Sequence, residues 1–240
     1  MTLPPWLAAR AGERGLGSLI DHTLLKPEAT ADDVLRLCDE ARELGLGAVC
    51  VNPQWVAICA RRLGGSTVKV ASVVAFPLGA STSAAKAAEA RLAVADGAVE
   101  LDVVAPIGWI RGGLWLQLAD EIAVVTHAVA GRLVKLILET AVLTPAEVRR
   151  AGTIAIQAGI GMLKTSTGFH PAGGATPEAV RLLREVAGEQ VGVKASGGIR
   201  RPEEAVAMLR AGADRIGTSA ATGWTGALGP GAPPLEELFR

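Results

Sequence analysis

The stretch IAIQAGIGMLK, residues 154–164, ends a segment of helical character at a glycine and continues at once as a short apolar strand. Glycine is favoured at this point because it adopts the left-handed backbone that closes many helices. The order of helix, glycine and strand recurs in ARELGLGAVCV (41–51), RLAVADGAVELDVV (91–104) and AMLRAGADRIG (207–217). This repetition predicts alternating helices and strands, and therefore a parallel sheet.

Apolar runs of strand-like length extend the same pattern along the chain. The expected strands cover about Leu19–His22, Ala48–Asn52, Val68–Phe76, Val99–Val104, Leu133–Glu139, Gly161–Thr165, Val191–Ala195 and Arg215–Gly217. Eight strands that alternate with helices predict an α/β fold, a closed (β/α)8 TIM barrel, and 240 residues suit one such domain. A doubly wound open sheet is the alternative, but no GxGxxG pattern follows the first strand.

Helix starts fit the barrel scheme. Thr144 and Glu147 match a capping box with Pro145 at the first helical position, and Thr30 with Asp33 can begin another helix. Pro177 and Pro202 also suit first helical positions. We treat residues 1–240 as one domain, with an N-terminal arm over about 1–17 and a Gly/Pro-rich tail over about 222–240.

Composition excludes several classes of protein. The 24 basic and 24 acidic residues balance, so nothing draws the chain to nucleic acid or to an anionic membrane. There is no long apolar run for a transmembrane helix and no pattern of a signal peptide. Cys38, Cys50 and Cys59 form no CxxC pair, and we expect buried thiols in a reducing cytoplasm. No HExxH or Asp-rich loop occurs, so we expect no metal.

Lysine is rare and unusually placed. The chain has six lysines against 18 arginines, and four of the lysines lie in apolar runs: Lys69, Lys135, Lys164 and Lys194. A charged side chain in an apolar strand is costly unless it is paired or functional. These lysines are therefore candidates for a functional site.

Acidic residues occur in the same strands. Alternation places Glu100 with Asp102 on one strand face, and Lys135 with Glu139 on another. If these faces point inward with Asp21, acids and lysines share the barrel interior. Buried ion pairs that merely fill the barrel are the alternative, but such pairs seldom add net stability. A site that needs shifted pKa values explains the clustering better.

Lys164 and Lys194 end neighbouring strands, and together they suggest Schiff-base chemistry. A free lysine has a pKa of about 10.4 and cannot attack a carbonyl while protonated. A second ammonium group and burial lower that pKa, so one lysine can be the nucleophile and the other its activator. The residues alone do not tell which is which. Asp102 can then move protons, with support from Asp21.

A phosphate site is expected beside the lysines. Loops after the seventh and eighth strands of such barrels often bind phosphate through backbone N–H groups. The candidates are Thr167, Gly168, Ser196, Gly197, Gly198, Gly217 and Ser219.

Taken together, these residues resemble the deoxyribose-phosphate aldolase family. The matching stretches are IDHTLLKPEAT (20–30), VCVNPQWV (49–56), VVAFPLGAST (73–82), ELDVVAPIG (100–108), LILETAVLT (136–144), GMLKTSTGF (161–169), VKASGGIR (193–200) and RIGTSA (215–220). They follow the family's order from residue 20 to residue 220, and LKTSTGF and VKASGGIR are the most specific.

The resemblance implies an activity and assigns roles. It makes Lys164 the Schiff-base lysine, Lys194 the residue that lowers its pKa, Asp102 the acid/base group and Asp21 a supporting group. The implied reaction is reversible cleavage of 2-deoxy-D-ribose 5-phosphate to D-glyceraldehyde 3-phosphate and acetaldehyde, without cofactor or metal, in deoxyribonucleotide catabolism. The partners implied are the phosphosugar and acetaldehyde, and the expected assembly is a homodimer or homotetramer.

Some positions depart from the family pattern. Phe169 stands where one branch of the family has a phosphate-contacting lysine, His170-Pro171-Ala172 replaces a glycine-rich stretch, and Ala220 replaces a frequent serine. These departures concern phosphate affinity and leave the lysine chemistry intact. The other hypotheses are a related Schiff-base aldolase with a different acceptor aldehyde, and a catalytically silent barrel that binds sugar phosphates.

Overall fold

A computed structural model describes residues 3–224 and 226–239, and within them eight parallel strands close into a barrel in the order β1 to β8. The strands are β1 Ile20–Leu24, β2 Ala48–Val51, β3 Lys69–Val74, β4 Glu100–Val104, β5 Leu133–Ile137, β6 Met162–Lys164, β7 Gly192–Ser196 and β8 Arg215–Thr218. Strand β8 pairs with β1, so the sheet has no open edge. The predicted (β/α)8 barrel is confirmed, and the doubly wound alternative is excluded.

Helices follow the strands and surround the barrel. They are α1 Ala31–Glu43, α2 Val56–Arg62, α3 Ser83–Ala95, α4 Ile107–Arg111, α5 Trp115–Ala128, α6 Pro145–Gln157, α7 Pro177–Ala187, α8 Pro202–Ala211 and α9 Leu235–Leu238. Helix α4 is an additional short helix between β4 and α5. Because each crossover returns the chain in the same direction, the carboxyl ends of all eight strands meet at one face of the barrel.

The helix starts agree with the local sequence. Thr144 with Glu147 forms the predicted capping box at α6. Thr30 with Asp33, predicted only as a helix start, forms a second capping box at α1. Pro177 and Pro202 lie in the first turn of α7 and α8. Local chemistry therefore places these helices on the chain before any tertiary contact is considered.

The expected strand ends are correct to within two residues, and the one with consequences is β5. We expected it to reach Glu139, but it ends at Ile137, and Glu139 has a left-handed backbone with φ 52°. That conformation breaks the alternation of side chains. Glu139 therefore does not share the inward face of Lys135 as the pattern suggested.

Apolar side chains form two separate cores. The larger one, which includes Leu101 of β4, joins side chains of the helices to side chains of the strands. A smaller cluster inside the barrel consists of Leu25, Cys50, Ala71 and Val73, with Phe76 packed against it. Charged groups from the other strands also point into the barrel, and they form the candidate site.

The two ends of the chain lie against each other. Gly15 N donates to the carbonyl of Pro233 at 2.8 Å, and Leu235 N donates to the carbonyl of Glu13 at 2.7 Å. Trp224 and Leu235 in the C-terminal segment are buried. The Gly/Pro-rich tail thus packs on the N-terminal arm over the described residues.

The remaining features of the fold are simple. All three cysteines are free and buried, as expected. Each helix in the described part of the chain is too short or too polar to cross a lipid bilayer.

The capping box at Thr144 provides a test of local folding. Thr144→Ala removes the side chain that accepts a hydrogen bond from Glu147 N, so we expect a loss of about 1 kcal/mol in the free energy of unfolding. Denaturant unfolding measures the loss. Thr153→Ala, an exposed change within the same helix, is the matched control and should cost much less. Equal losses in the two variants would contradict the capping argument.

Candidate active site

Seven charged side chains converge inside the barrel, and each has an exposed fraction of 6% or less. We call them the ionic cluster: Asp21 on β1, Glu100 and Asp102 on β4, Lys135 on β5, Lys164 on β6, Lys194 on β7 and Arg215 on β8. Acids and lysines thus share one interior, as the strand patterns predicted. Lys69, the fourth lysine in an apolar run, starts β3, and its side chain is 53% exposed.

The register of the barrel brings the cluster together. Lys164 is the direct partner of Lys194 between β6 and β7, and Lys194 is the partner of Arg215 between β7 and β8. Asp102 is likewise the partner of Lys135 between β4 and β5. Directly paired residues point to the same side of a sheet, so these side chains all face inward.

One carboxylate oxygen joins the two central lysines. Oδ2 of Asp102 lies 2.7 Å from Nζ of Lys164 and 2.7 Å from Nζ of Lys194. Nζ of Lys194 also donates to Oδ2 of Asp21. Lys194 therefore lies between two carboxylates, whereas Lys164 contacts one of them at the open side of the cluster.

A glycine leaves room for this arrangement. A Cβ atom at position 217 would lie 3.1 Å from Cε of Lys194 and 2.9 Å from Cβ of Ser196. Gly217 therefore leaves the space beside β8 that the Lys194 side chain occupies.

The deeper part of the cluster is an ionic layer below Asp102. Nζ of Lys135 lies 3.0 Å from Asp102 and 3.2 Å from Asp21, and it also contacts Glu100. The Arg215 guanidinium donates to Asp21, with Nε at 2.9 Å, and lies 3.4 Å from Glu100. Every carboxylate of the cluster thus faces at least two cations.

The surroundings shift the pKa values of Lys164 and Lys194 in opposite directions. Burial lowers the pKa of Lys164; Asp102 opposes this shift, and the neighbouring Lys194 adds to it. Burial would also lower the pKa of Lys194, but Asp102 and Asp21 together raise it above its ordinary value. The arrangement therefore makes Lys164 easier to deprotonate than an ordinary lysine and Lys194 harder to deprotonate.

The carboxylates stay ionised. Burial alone would raise the pKa of Asp102, but Lys135, Lys164 and Lys194 hold it well below its ordinary value. Asp21 behaves in the same way under Arg215, Lys135 and Lys194. Cys50, whose Sγ is 4.0 Å from Asp102, has a pKa raised by burial, so it remains a neutral thiol.

A cavity of about 300 Å³ opens above Lys164 at the carboxyl ends of the strands. All seven residues that the sequence proposed for phosphate line it, namely Thr167, Gly168, Ser196, Gly197, Gly198, Gly217 and Ser219. Lys194, Asp102 and Asp21 lie behind Lys164 and do not line the cavity. The cavity therefore presents a single buried amine to a bound molecule.

Glycines shape the wall of the cavity at two adjoining loops. Gly197 and Gly198 have φ of 92° and 81°, a backbone that other residues rarely adopt. A Cβ atom on Gly197 would lie 3.1 Å from the Cα of Gly168, so the loops after β6 and β7 touch there. Close approach of backbone suits recognition of an anion by N–H groups.

Two of the predicted phosphate residues hold the loops in place through their hydroxyl groups. Ser196 Oγ donates to the carbonyl of Ser166 at 2.6 Å, and Thr167 Oγ donates to Glu139 at 2.6 Å. Glu139 also accepts from Thr167 N at 3.3 Å. The left-handed turn at Glu139 thus orients the loop that follows Lys164.

Two cations at the mouth of the cavity were missed by sequence reasoning. Lys26 lies in the loop after β1 and Arg200 in the loop after β7, and both are exposed residues that line the cavity. No Asp or Glu of the described chain lines it. Their positions just beyond strand ends were a signal that could have found them. Arg215 was also missed, because it begins its strand and carries no motif of its own.

Comparison with known proteins identifies the family. A family model described as DeoC/LacD family aldolase matches residues 18–228, which include the whole ionic cluster.

This chain belongs to the DeoC/LacD aldolase family.

Relatives in sequence agree with that assignment. A protein of Brevibacillus brevis named deoxyribose-phosphate aldolase is 51% identical over 85% of this chain and 92% of its own length. A protein of the same name from Geobacillus sp. (strain WCH70) is 47% identical over 86% of this chain and 93% of its own length.

Solved structures agree with that assignment as well. A putative deoxyribose-phosphate aldolase from Coccidioides immitis has a TM-score of 0.85 at 36% identity, with 93% of this chain and 87% of that chain covered. Deoxyribose phosphate aldolase from Aeropyrum pernix, described as tetrameric, has a TM-score of 0.81 at 36% identity, with 90% and 92% covered.

Proposed function

We propose that this protein is a deoxyribose-phosphate aldolase, a lyase that reversibly cleaves 2-deoxy-D-ribose 5-phosphate to D-glyceraldehyde 3-phosphate and acetaldehyde. The position of Lys164 is the main observation that supports this proposal. Its amine lines the cavity, burial lowers its pKa, and it contacts Asp102, which also binds the cationic Lys194. The relatives named for this activity support the same reaction.

The reaction begins with a covalent bond to Lys164. Its neutral Nζ attacks the C1 aldehyde of the open-chain sugar, and the carbinolamine loses water to give a protonated Schiff base. Asp102 is the acid/base group within reach of that nitrogen and can pass the protons, directly or through water. Lys194 keeps its charge and holds Asp102 in place.

Cleavage then breaks the bond between C2 and C3. A water molecule relays the proton of the C3 hydroxyl to Asp102. C3 becomes the aldehyde of glyceraldehyde 3-phosphate, and the electron pair of the broken bond forms the enamine on Lys164. Protonation of the enamine at C2 and hydrolysis of the imine release acetaldehyde and restore the free amine. Asp21 supports the relay through Lys194. The lysine itself supplies the electron sink, so the proposed mechanism uses no metal or cofactor.

The phosphate end of the substrate lies at the mouth of the cavity in this proposal. Backbone N–H groups near Gly168 and Gly198, the hydroxyl of Ser219 and the exposed cations Lys26 and Arg200 provide the donors and the charge. Phe169, which stands where one family branch has a lysine, packs edge to face on Phe76 at 5.1 Å. The cations on the loops after β1 and β7 supply the charge that position 169 lacks.

We also propose the setting in which the enzyme works. Three buried, unpaired thiols are in keeping with the cytoplasm. A homodimer or homotetramer is proposed, supported by the tetrameric relative from Aeropyrum pernix and by the exposed Leu92 on α3 and Leu116 on α5. A catalytically silent sugar-phosphate barrel is not favoured, because the Lys164, Lys194 and Asp102 set is intact and connected.

Covalent trapping tests the role of Lys164. Borohydride reduction in the presence of acetaldehyde should add one ethyl group, mapped to Lys164 by peptide mass spectrometry. Lys164→Ala should lose retro-aldol activity by about 10⁴-fold or more, because the covalent step disappears. Folded wild-type protein that stays unlabelled at Lys164, or a Lys164→Ala variant with near-normal cleavage, would refute the mechanism.

Comparison of two substrates tests the phosphate site. We expect kcat/KM for 2-deoxy-D-ribose 5-phosphate to exceed that for 2-deoxy-D-ribose by about 100-fold, since charge-assisted hydrogen bonds hold the phosphate. Arg200→Gln should lower this ratio of the two kcat/KM values. Arg181→Gln on the exposed face of α7 is the control and should leave it unchanged. Equal rates on the two sugars would exclude a phosphate subsite.

Substitution of Lys194 tests its electrostatic role. Lys194→Leu removes a positive charge beside Lys164, so the pKa of Lys164 rises and its amine is protonated at neutral pH. The acid limb of the kcat/KM profile should move to higher pH, and the rate near pH 7 should fall by about 100-fold or more.

The charge-conserving control for this experiment is Lys194→Arg. It should leave the acid limb closer to its wild-type position than Lys194→Leu does. A Lys194→Leu profile with an unmoved acid limb and an unchanged rate would contradict the assigned role.

A further inference from the structure

The ionic cluster balances its charge in one particular state. Three of its members are carboxylates, Asp21, Glu100 and Asp102, and each contacts the cations around it. Three further members, Lys135, Lys194 and Arg215, are cations. The net charge of the cluster is therefore zero when Lys164 is a neutral amine, and one positive charge is in excess when Lys164 is protonated.

Burial makes this balance energetically important. The seven side chains have exposed fractions of 6% or less, so solvent screens them little. An uncompensated charge in such surroundings is costly. The Asp102 oxygen that would compensate protonated Lys164 already accepts a hydrogen bond from Lys194. Neutral Lys164 is thus the state in which every buried charge has a partner.

The other groups around Lys164 do not change the net charge of the buried cluster. Cys50 on β2 is a neutral thiol, and the inward residues of β3 above Lys69 are apolar. Lys69 lies at the opposite end of the barrel, exposed to solvent, with Nζ 3.3 Å from Glu100. Lys26 and Arg200 line the mouth of the cavity and are also exposed, so water screens their charges.

Three members of the cluster lie outside the machinery described above: Lys135, Arg215 and Glu100. Arg215 and Glu100 do not line the cavity and cannot touch the substrate. Arg215 binds Asp21, which binds Lys194, while Glu100 binds Lys135, which contacts Asp102. Lys135 and Asp102 separate Glu100 from the reactive amine, and Asp21, Lys194 and Asp102 separate Arg215 from it. Each of the two residues carries a charge that the balance requires.

We propose that Arg215 and Glu100 are positioning residues that set the charge balance of the barrel interior and thereby keep Lys164 neutral and reactive. This inference rests on the proposed Schiff-base function of Lys164. Arginine suits the place because its guanidinium remains charged at any working pH and reaches Asp21 and Glu100 together.

Charge balance predicts opposite effects for the two residues. Arg215→Gln leaves one negative charge in excess, which protonation of Lys164 would cancel, so the acid limb of Lys164 reactivity moves to higher pH. Glu100→Gln leaves one positive charge in excess, so the limb moves to lower pH. A shift of about one pH unit is expected for a unit charge lost from a buried cluster. A purely structural role would instead lower the rate at every pH without opposite shifts.

The experiment measures the rate at which acetaldehyde and cyanoborohydride label Lys164 as a function of pH, by intact mass and peptide mapping. Wild type, Arg215→Gln, Glu100→Gln, the double variant and Arg215→Lys are compared under the same conditions at each pH. The kcat/KM profile for retro-aldol cleavage is the second readout. The double variant is again balanced and should return the limb toward its wild-type position, and Arg215→Lys should hold it there.

The outcomes separate this inference from the function on which it rests. Single variants that leave the limb unmoved, or that move it in the same direction, would overturn the charge balance, as would an Arg215→Lys variant that shifts it as far as Arg215→Gln. If Arg215→Gln does not fold, Glu100→Gln alone tests the charge balance. Its acid limb should move to lower pH, which a merely destabilised protein would not show. Wild-type protein unlabelled at Lys164 would overturn the proposed function and this inference together.

Discussion

The Oδ2 atom of Asp102 accepts hydrogen bonds from two lysines, and the rest of the site depends on this shared contact. In the proposed mechanism one lysine stays charged and the other is neutral, although both are buried and both contact the same oxygen. Asp21 resolves the symmetry, because it binds Lys194 and leaves Lys164 with a single carboxylate. A second carboxylate on one side thus distinguishes the proposed nucleophile, Lys164, from its proposed activator, Lys194.

The interior of the barrel has an apolar part and a charged part. Leu25, Cys50, Ala71 and Val73 fill the part next to β1 to β3 with apolar atoms, while the ionic cluster spans β4 to β8 and β1. Buried ion pairs seldom repay the loss of their hydration. The large apolar core between helices and strands offsets that cost, so the interior can be organised for chemistry rather than for stability.

The outer part of the site is assembled from loops rather than from strands. The turn at Glu139 orients Thr167, the Ser196 hydroxyl ties the next loop to Ser166, and glycines let the two loops meet. The positive charge at the cavity mouth comes from Lys26 in the loop after β1 and Arg200 in the loop after β7, whereas Phe169 lies in the loop after β6. A family position can therefore change without loss of the cationic mouth, because several loops can supply a cation to the same cavity.

The sequence by itself determined the alternation of helices and strands and the caps at Thr30 and Thr144, and it marked Lys164, Lys194 and Asp102 as candidates for one site. Short-range chemistry decides these features: side-chain periodicity, capping and the cost of charges in apolar runs. Tertiary structure decided which lysine faces the cavity, where Glu139 turns away, and that Arg215 completes the cluster. These depend on the register of strands far apart in the chain, and Arg215 meets Asp21 only because β8 closes the barrel against β1.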